Sequence, residues 1–201
     1  FMDAYSYLAR GHVFANAQTG NMLLFGVNLA SGQFQNALHY LCPVLAFGFG
    51  IFLAEFIHFQ KIQKVHWRQL ILIVEIIILF SVAFISFEQN LLANSLTSFA
   101  CGMQVQAFRK IHGKGYATTM CIGNLRTGTH ELCNFLCTKK VQHLQSGLLY
   151  YLIILAFILG AILGNFCIQS FSLKAIWISV ALLIVAFVLM FIDREKDEAF
   201  Q

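Results

Sequence analysis

Three acidic side chains stand inside apolar stretches of this 201-residue sequence: Asp3, Glu55 and Glu75. An ionisable group at membrane depth is costly, so each is a functional candidate that needs a partner or a pathway. The chemistry they suggest is proton or cation coupling. Glu75 lies seven residues into its stretch, about 10 Å along a helix axis, where a short side chain reaches interfacial water poorly. Glu55 lies nearer the end of its stretch, within reach of Lys61.

Two polar interruptions supply the remaining candidates. One reads Phe14-Ala15-Asn16-Ala17-Gln18-Thr19-Gly20-Asn21 and the other Ala117-Thr118-Thr119-Met120-Cys121-Ile122-Gly123-Asn124. Backbone that leaves a helix at membrane depth must find hydrogen-bond partners, because lipid offers none. Asn16, Gln18 and Asn21 can supply them in the first break, and Thr118, Thr119 and Asn124 in the second. A short helix is expected to start at each break, and its free N–H groups and dipole favour an anion or a polar group. Gly20 and Gly123 allow a ligand close to the backbone, and Arg126 adds a fixed charge. The candidate solute site is therefore Asn16, Thr19, Gly20 and Asn21 with Thr118, Thr119, Gly123, Asn124 and Arg126. The blander role of these residues is structural. Thr19, Asn21, Thr119 and Asn124 can cap helix starts, and Arg126 can anchor the chain at the cytoplasmic face.

The elements that must position these residues follow from composition. The chain is 59% hydrophobic and 11% charged, against about 25% charge in soluble domains. Lipid is the solvent such a chain suits. The expected fold is an all-α membrane protein with six transmembrane helices, near residues 1–9, 37–59, 69–87, 91–111, 147–169 and 173–192. Residues 22–30 and 125–137 are apolar but short of the ~20 residues needed to cross, so each is read as a re-entrant or in-plane helix. Residues 61–68 and 138–146 read as basic loops, and Pro43 stands near the start of its span, where a helix tolerates it best. The first span is expected to be truncated at Phe1.

The 13 basic residues fix an orientation. All but Arg10 and Lys174 fall on one side of the membrane, which places both termini in the cytoplasm by the positive-inside rule. Because these residues lie between apolar spans, nucleic acid is not an expected partner; the lipid bilayer is.

A shift of 103 pairs Ala4 with Ala107, Gly20 with Gly123 and Asn21 with Asn124, and a shift of 110 pairs Ala46 with Ala156, Gly50 with Gly160 and Phe56 with Phe166. The chain therefore divides into a first repeat (1–90), a second (91–192) and a soluble charged tail (193–201). Each repeat holds three spans, an odd number, so the two are inverted in the membrane. Inverted repeats with interrupted helices point to a midplane site in secondary transporters.

No catalytic constellation stands out, and no cofactor is implied. Cys133 and Cys137 share a helix face, but a metal there would need two more ligands and His130 is the only one at hand. Glu131 is expected to pair locally with Arg126 or Thr127.

The paired motifs resemble one known family. Phe1-Met2-Asp3-Ala4-Tyr5, Phe14-Ala15-Asn16 with Thr19-Gly20-Asn21, and Tyr116-Ala117-Thr118-Thr119 with Gly123-Asn124 are similar to the motifs of the YoaK family of uncharacterised bacterial membrane proteins. The chain departs from that pattern at Ile122, where the family usually carries Thr. The resemblance implies a multi-pass protein of the bacterial cytoplasmic membrane and assigns no substrate. The function expected from all of this is a small secondary transporter or channel-like carrier for a small polar or anionic solute, with its site between the two breaks. The alternative is a non-transporting membrane scaffold or accessory subunit. Six spans are few for a complete transporter, which makes a homodimer a further expectation.

Overall fold

Long runs of Leu, Ile, Phe and Ala with isolated polar residues favour helix when few breakers intervene. The computed structural model describes the backbone of residues 1–60, 67–108, 110–111, 114–115 and 121–199, and the side chains of 1–60, 67–108 and 121–190. Among them are α1 (Met2–Ala9), α2 (Gln18–Ala30), α3 (Phe34–Phe59), α4 (Trp67–Val82), α5 (Asn90–Ala107), α6 (Cys121–Thr138), α7 (Val141–Phe171) and α8 (Trp177–Ala199). Short 3-10 turns, Phe87–Gln89 and Ser172–Ile176, lead into α5 and α8. Lys110–Ile111 (β1) pairs antiparallel with Lys114–Gly115 (β2).

Two stretches are long and apolar enough to cross a membrane: Phe34–Phe59 and Val141–Met190, the second containing α7 and most of α8. The protein is thus helical, with membrane-crossing stretches. Both short helices begin 103 residues apart, at Gln18 and Cys121, and each carries Gly then Asn at its third and fourth positions.

Three local expectations are corrected. Residues 138–146 are not a loop: α6 runs to Thr138, α7 begins at Val141, and only Lys139 and Lys140 lie between. Lys139 takes φ 58, and its N–H bonds the Phe135 carbonyl at 2.8 Å to close α6. The 31 residues of α7 span about 46 Å, more than the ~30 Å hydrocarbon core, so it tilts or protrudes. Pro43 lies inside α3 because that helix starts at Phe34, and it leaves the His39 carbonyl without its helical donor. The fourth element ends at Val82, and the chain turns before Phe87.

Glycine sets the tightest helix contacts. A Cβ on Gly50 of α3 would strike the Phe99 carbonyl of α5, and one on Gly102 of α5 would strike the Phe47 carbonyl of α3. On the other side α7 lies against α1, where a Cβ on Gly160 would meet the Phe1 nitrogen at 3.1 Å and one on Gly164 the Ala4 Cβ at 3.0 Å. The short helices pack beside the long ones, α2 on α3 and α6 on α7, and α4 joins α5 to α8. The main core gathers Tyr5, Leu72, Leu79, Ala93, Ala100, Ile176 and Leu183. Outside it, Leu45, Phe49, Phe52, Phe56 and Phe59 form an exposed stripe along α3. Contiguous apolar surface of this kind is a liability in water and suits lipid.

Candidate functional site around Asp3

α2 has no side-chain cap of its own. The N–H groups at its approach are met from another helix: Asp3 Oδ1, on α1, accepts from Asn16 N at 2.7 Å and Ala17 N at 3.3 Å. A carboxylate at a helix start is favoured by both hydrogen bonding and the dipole. Asn21 holds the rest of the break. Its Oδ1 accepts from Phe14 N at 3.0 Å, and its Nδ2 donates to Phe14 O at 2.7 Å and Gln18 Oε1 at 2.8 Å. Gln18 Nε2 donates to Ala15 O at 2.8 Å and lies 3.4 Å from Ser98 Oγ on α5. Asn21 and Gln18 therefore satisfy the backbone of the break. Gly20 faces Phe14, whose ring would stand 2.9 Å from a Cβ there, so its missing side chain makes room for that ring. Thr19 is exposed.

The second break is seen from α6 onward. Thr118 and Thr119 lie outside the described residues. Asn124 is buried in the first turn of α6, whereas Gly123 and Arg126 are exposed. α6 packs on α7, and the hydrogen bonds of the Asp3 carboxyl go to the approach of α2. Glu131 pairs with His143 of α7 at 2.7 Å rather than with Arg126 or Thr127, because the tight Lys139–Lys140 turn brings the two helices side by side.

Two atoms at this junction lack a hydrogen-bond partner, Asp3 Oδ2 and Asn16 Oδ1. The Asn16 amide has only the weak Cys101 thiol beside it. Both residues are more than nine-tenths buried. They line a cavity of about 490 Å³, together with Gln104 of α5, Ser179 of α8 and an apolar wall that includes Ile153, Phe157 and Leu183. Buried polar groups without partners are uncommon and call for an explanation.

Glu75 is fully buried in α4, and neither carboxyl oxygen has a hydrogen-bond partner. Cys101 of α5 is fully buried, with its Sγ 3.7 Å from Met2 Sδ. Glu55 is different. It accepts from Gln106 Nε2 on α5 and lies 3.8 Å from His58, at the end of α3 and half in solvent. Among the described residues no cluster of three metal-ligating side chains occurs.

Sequence reasoning missed Arg10, which has no exposed surface. Its guanidinium donates to Val82 O and Ile85 O, each at 2.8 Å, to Ser86 O and Asn90 Oδ1, each at 3.2 Å, and to Tyr5 Oη at 3.1 Å. Asn94 Nδ2 donates back to the Arg10 carbonyl at 2.7 Å, and Tyr5 Oη donates to Leu173 O at 3.0 Å. A cation beside the last carbonyls of α4 is favourably placed in the helix field. The signal was available: in the orientation expected from the sequence, Arg10 is one of only two basic residues on the side that basic residues avoid.

Comparison with known proteins places this architecture. The chain is 26% identical over 191 residues to the UPF0700 transmembrane protein YoaK of Bacillus subtilis (strain 168), an alignment covering 90% of this chain and 84% of that protein. No solved structure matches. That relative and the two membrane-crossing stretches identify a membrane protein in contact with the lipid bilayer. A family model matches residues 1–189, and the chain belongs to that family, described as "Protein of unknown function (DUF1275)".

Proposed function

We propose that the protein is a small multi-pass secondary transporter or channel-like carrier for a polar solute, built from two inverted three-span repeats with both termini in the cytoplasm. The observation that carries this is the Asp3 junction. A buried carboxyl in an apolar protein meets the start of an interrupted helix, keeps one oxygen unpartnered, and belongs to a residue that lines a cavity. Discontinuous helices whose ends point at a midplane site are the recurring device of such carriers.

Pseudosymmetric packing supports the repeat. α3 lies on α5 through Gly50, and α7 lies on α1 through Gly160, 110 positions later. Each helix thus packs on the first span of the other repeat. Gln69 and Ser179, also 110 apart, are both buried polar residues on the paired helices α4 and α8. Glu55 on α3 pairs with Gln106 on α5; the corresponding positions on α7 and α1 are Asn165 and Asp3, so carboxyl and amide exchange places.

Coupling is assigned to Asp3 and Glu75, the two buried acids. Glu55 joins the amide network at the membrane edge. The reading is tested in proteoliposomes holding a trapped pH-sensitive dye. Panels of small amines, polyols and carboxylates are added under a proton gradient. Solute-dependent proton movement in the wild type, absent in Asp3→Asn, is expected. A folded wild-type protein that moves no protons with any panel, yet copurifies with a membrane partner, would favour the scaffold reading instead.

A further inference from the structure

The polarity of the unpartnered groups points to the class of solute, and this step rests on the carrier reading of the same site. The start of a helix ordinarily attracts an anion. Here that place is already taken at α2, because Asp3 supplies the negative group to the N–H donors of Asn16 and Ala17. A second anion would meet a resident carboxyl.

The inventory of the interior agrees. Setting aside Arg68, which has interactions, the unpartnered buried side-chain atoms among the described residues are oxygens, on Asp3, Asn16, Glu75 and Asn94. Arg10 is the one buried cation among the described residues, and its donors are engaged by the three carbonyls, Asn90 and Tyr5. What this interior needs is donors and positive charge. The cavity adds shape to that demand: Asp3, Asn16, Gln104 and Ser179 line it among residues that are otherwise aliphatic and aromatic, including Phe157, and the unpartnered Asp3 and Asn16 oxygens lie buried behind that lining. An ammonium group suits the oxygens, and a short alkyl group suits the wall. An aromatic face near a desolvated cation adds further attraction.

We infer that the solute is a small alkylammonium-class cation, held with its N–H donors on Asp3 Oδ2 and Asn16 Oδ1, and not an anion. The test uses the whole protein in nanodiscs and a scintillation proximity assay with radiolabelled methylammonium as the probe. Competitors are guanidinium, sodium and acetate, each at equal concentration. The expected result is saturable binding, displaced by guanidinium, indifferent to acetate and sodium, and weakened at least tenfold in Asp3→Asn. That variant keeps the acceptor for Asn16 N and Ala17 N, so its thermal transition should match wild type. Ser179→Ala, which leaves the break untouched, should weaken binding severalfold and serves as the second variant. Displacement by acetate, displacement by sodium alone, unchanged binding in Asp3→Asn, or no binding of methylammonium would each overturn the inference. The carrier reading falls separately, on the absence of any solute-dependent proton movement in the proteoliposome assay.

Discussion

Replacing Arg10 should be among the most damaging single changes in the protein, although Arg10 touches no solute group. Its guanidinium makes five hydrogen bonds and ties α1 to the end of α4, the start of α5 and, through Tyr5, to the turn before α8. Hydrogen bonds to charged groups contribute about 1.5–3 kcal/mol each, and they do not add when they share one side chain. Lysine keeps the charge but lacks the planar fork that reaches Val82 O, Ile85 O and Tyr5 Oη at once. Retaining about two of the bonds, Arg10→Lys should lose about 3–5 kcal/mol. Arg10→Met should lose at least as much, because it also strands the Ile85 carbonyl. The assay is reversible unfolding in mixed micelles, read by the environment of Trp177, which stacks on Phe80 at 5.5 Å close to this network. Tyr5→Phe should cost about 1–2 kcal/mol, and the double variant should be less than additive. An Arg10→Met protein as stable as wild type would refute the clamp and return Arg10 to the role of an ordinary loop residue.

Further outcomes follow from the same geometry. Gly50→Ala and Gly102→Ala each drive a methyl into a facing carbonyl and should destabilise by about 2–3 kcal/mol. Gly48→Ala, with no heavy atom near its added Cβ, should be neutral or stabilising by up to about 1 kcal/mol; equal effects at the three sites in the same unfolding assay would contradict the close α3–α5 crossing. Gly20→Ala should displace the Phe14 ring and lower stability by about 1–2 kcal/mol while leaving methylammonium binding within twofold, and a specific loss of binding would restore Gly20 to the solute. Asn21→Ala should reduce the yield of folded protein, since it abandons both backbone groups of Phe14; a well-folded variant lacking only transport would place Asn21 in the site after all. Glu131→Gln should change stability by less than about 1 kcal/mol, because its bond to His143 is partly solvent-exposed.

The sequence made the two breaks legible because polar residues inside apolar runs must answer for their backbone. It did not tell which polar atoms would remain free. That depended on Asp3 reaching across 13 residues to Asn16, a contact set by how α1 folds back on the break. Asn21 looked like a ligand and is occupied by Phe14. Arg10 looked like a loop residue because burial is a tertiary outcome, visible only once α4 and α5 close around it. The segment 138–146 looked like a loop because Gln142, His143 and Gln145 are polar, yet it holds neither Gly nor Pro to stop a helix, and it forms the first turns of α7. Residue types set the helical class and the lipid-facing surface; the pairings across helices needed coordinates.

The central claim is that Asp3, held at the start of the interrupted helix α2, forms a solute site. A cryo-electron microscopy map of the full protein in nanodiscs, prepared with methylammonium, tests it most directly. The account predicts ordered density within hydrogen-bond reach of Asp3 Oδ2 and Asn16 Oδ1, beside the start of α2. Protein side chains filling that space and closing both oxygens, with no solute density at Asp3, would contradict it.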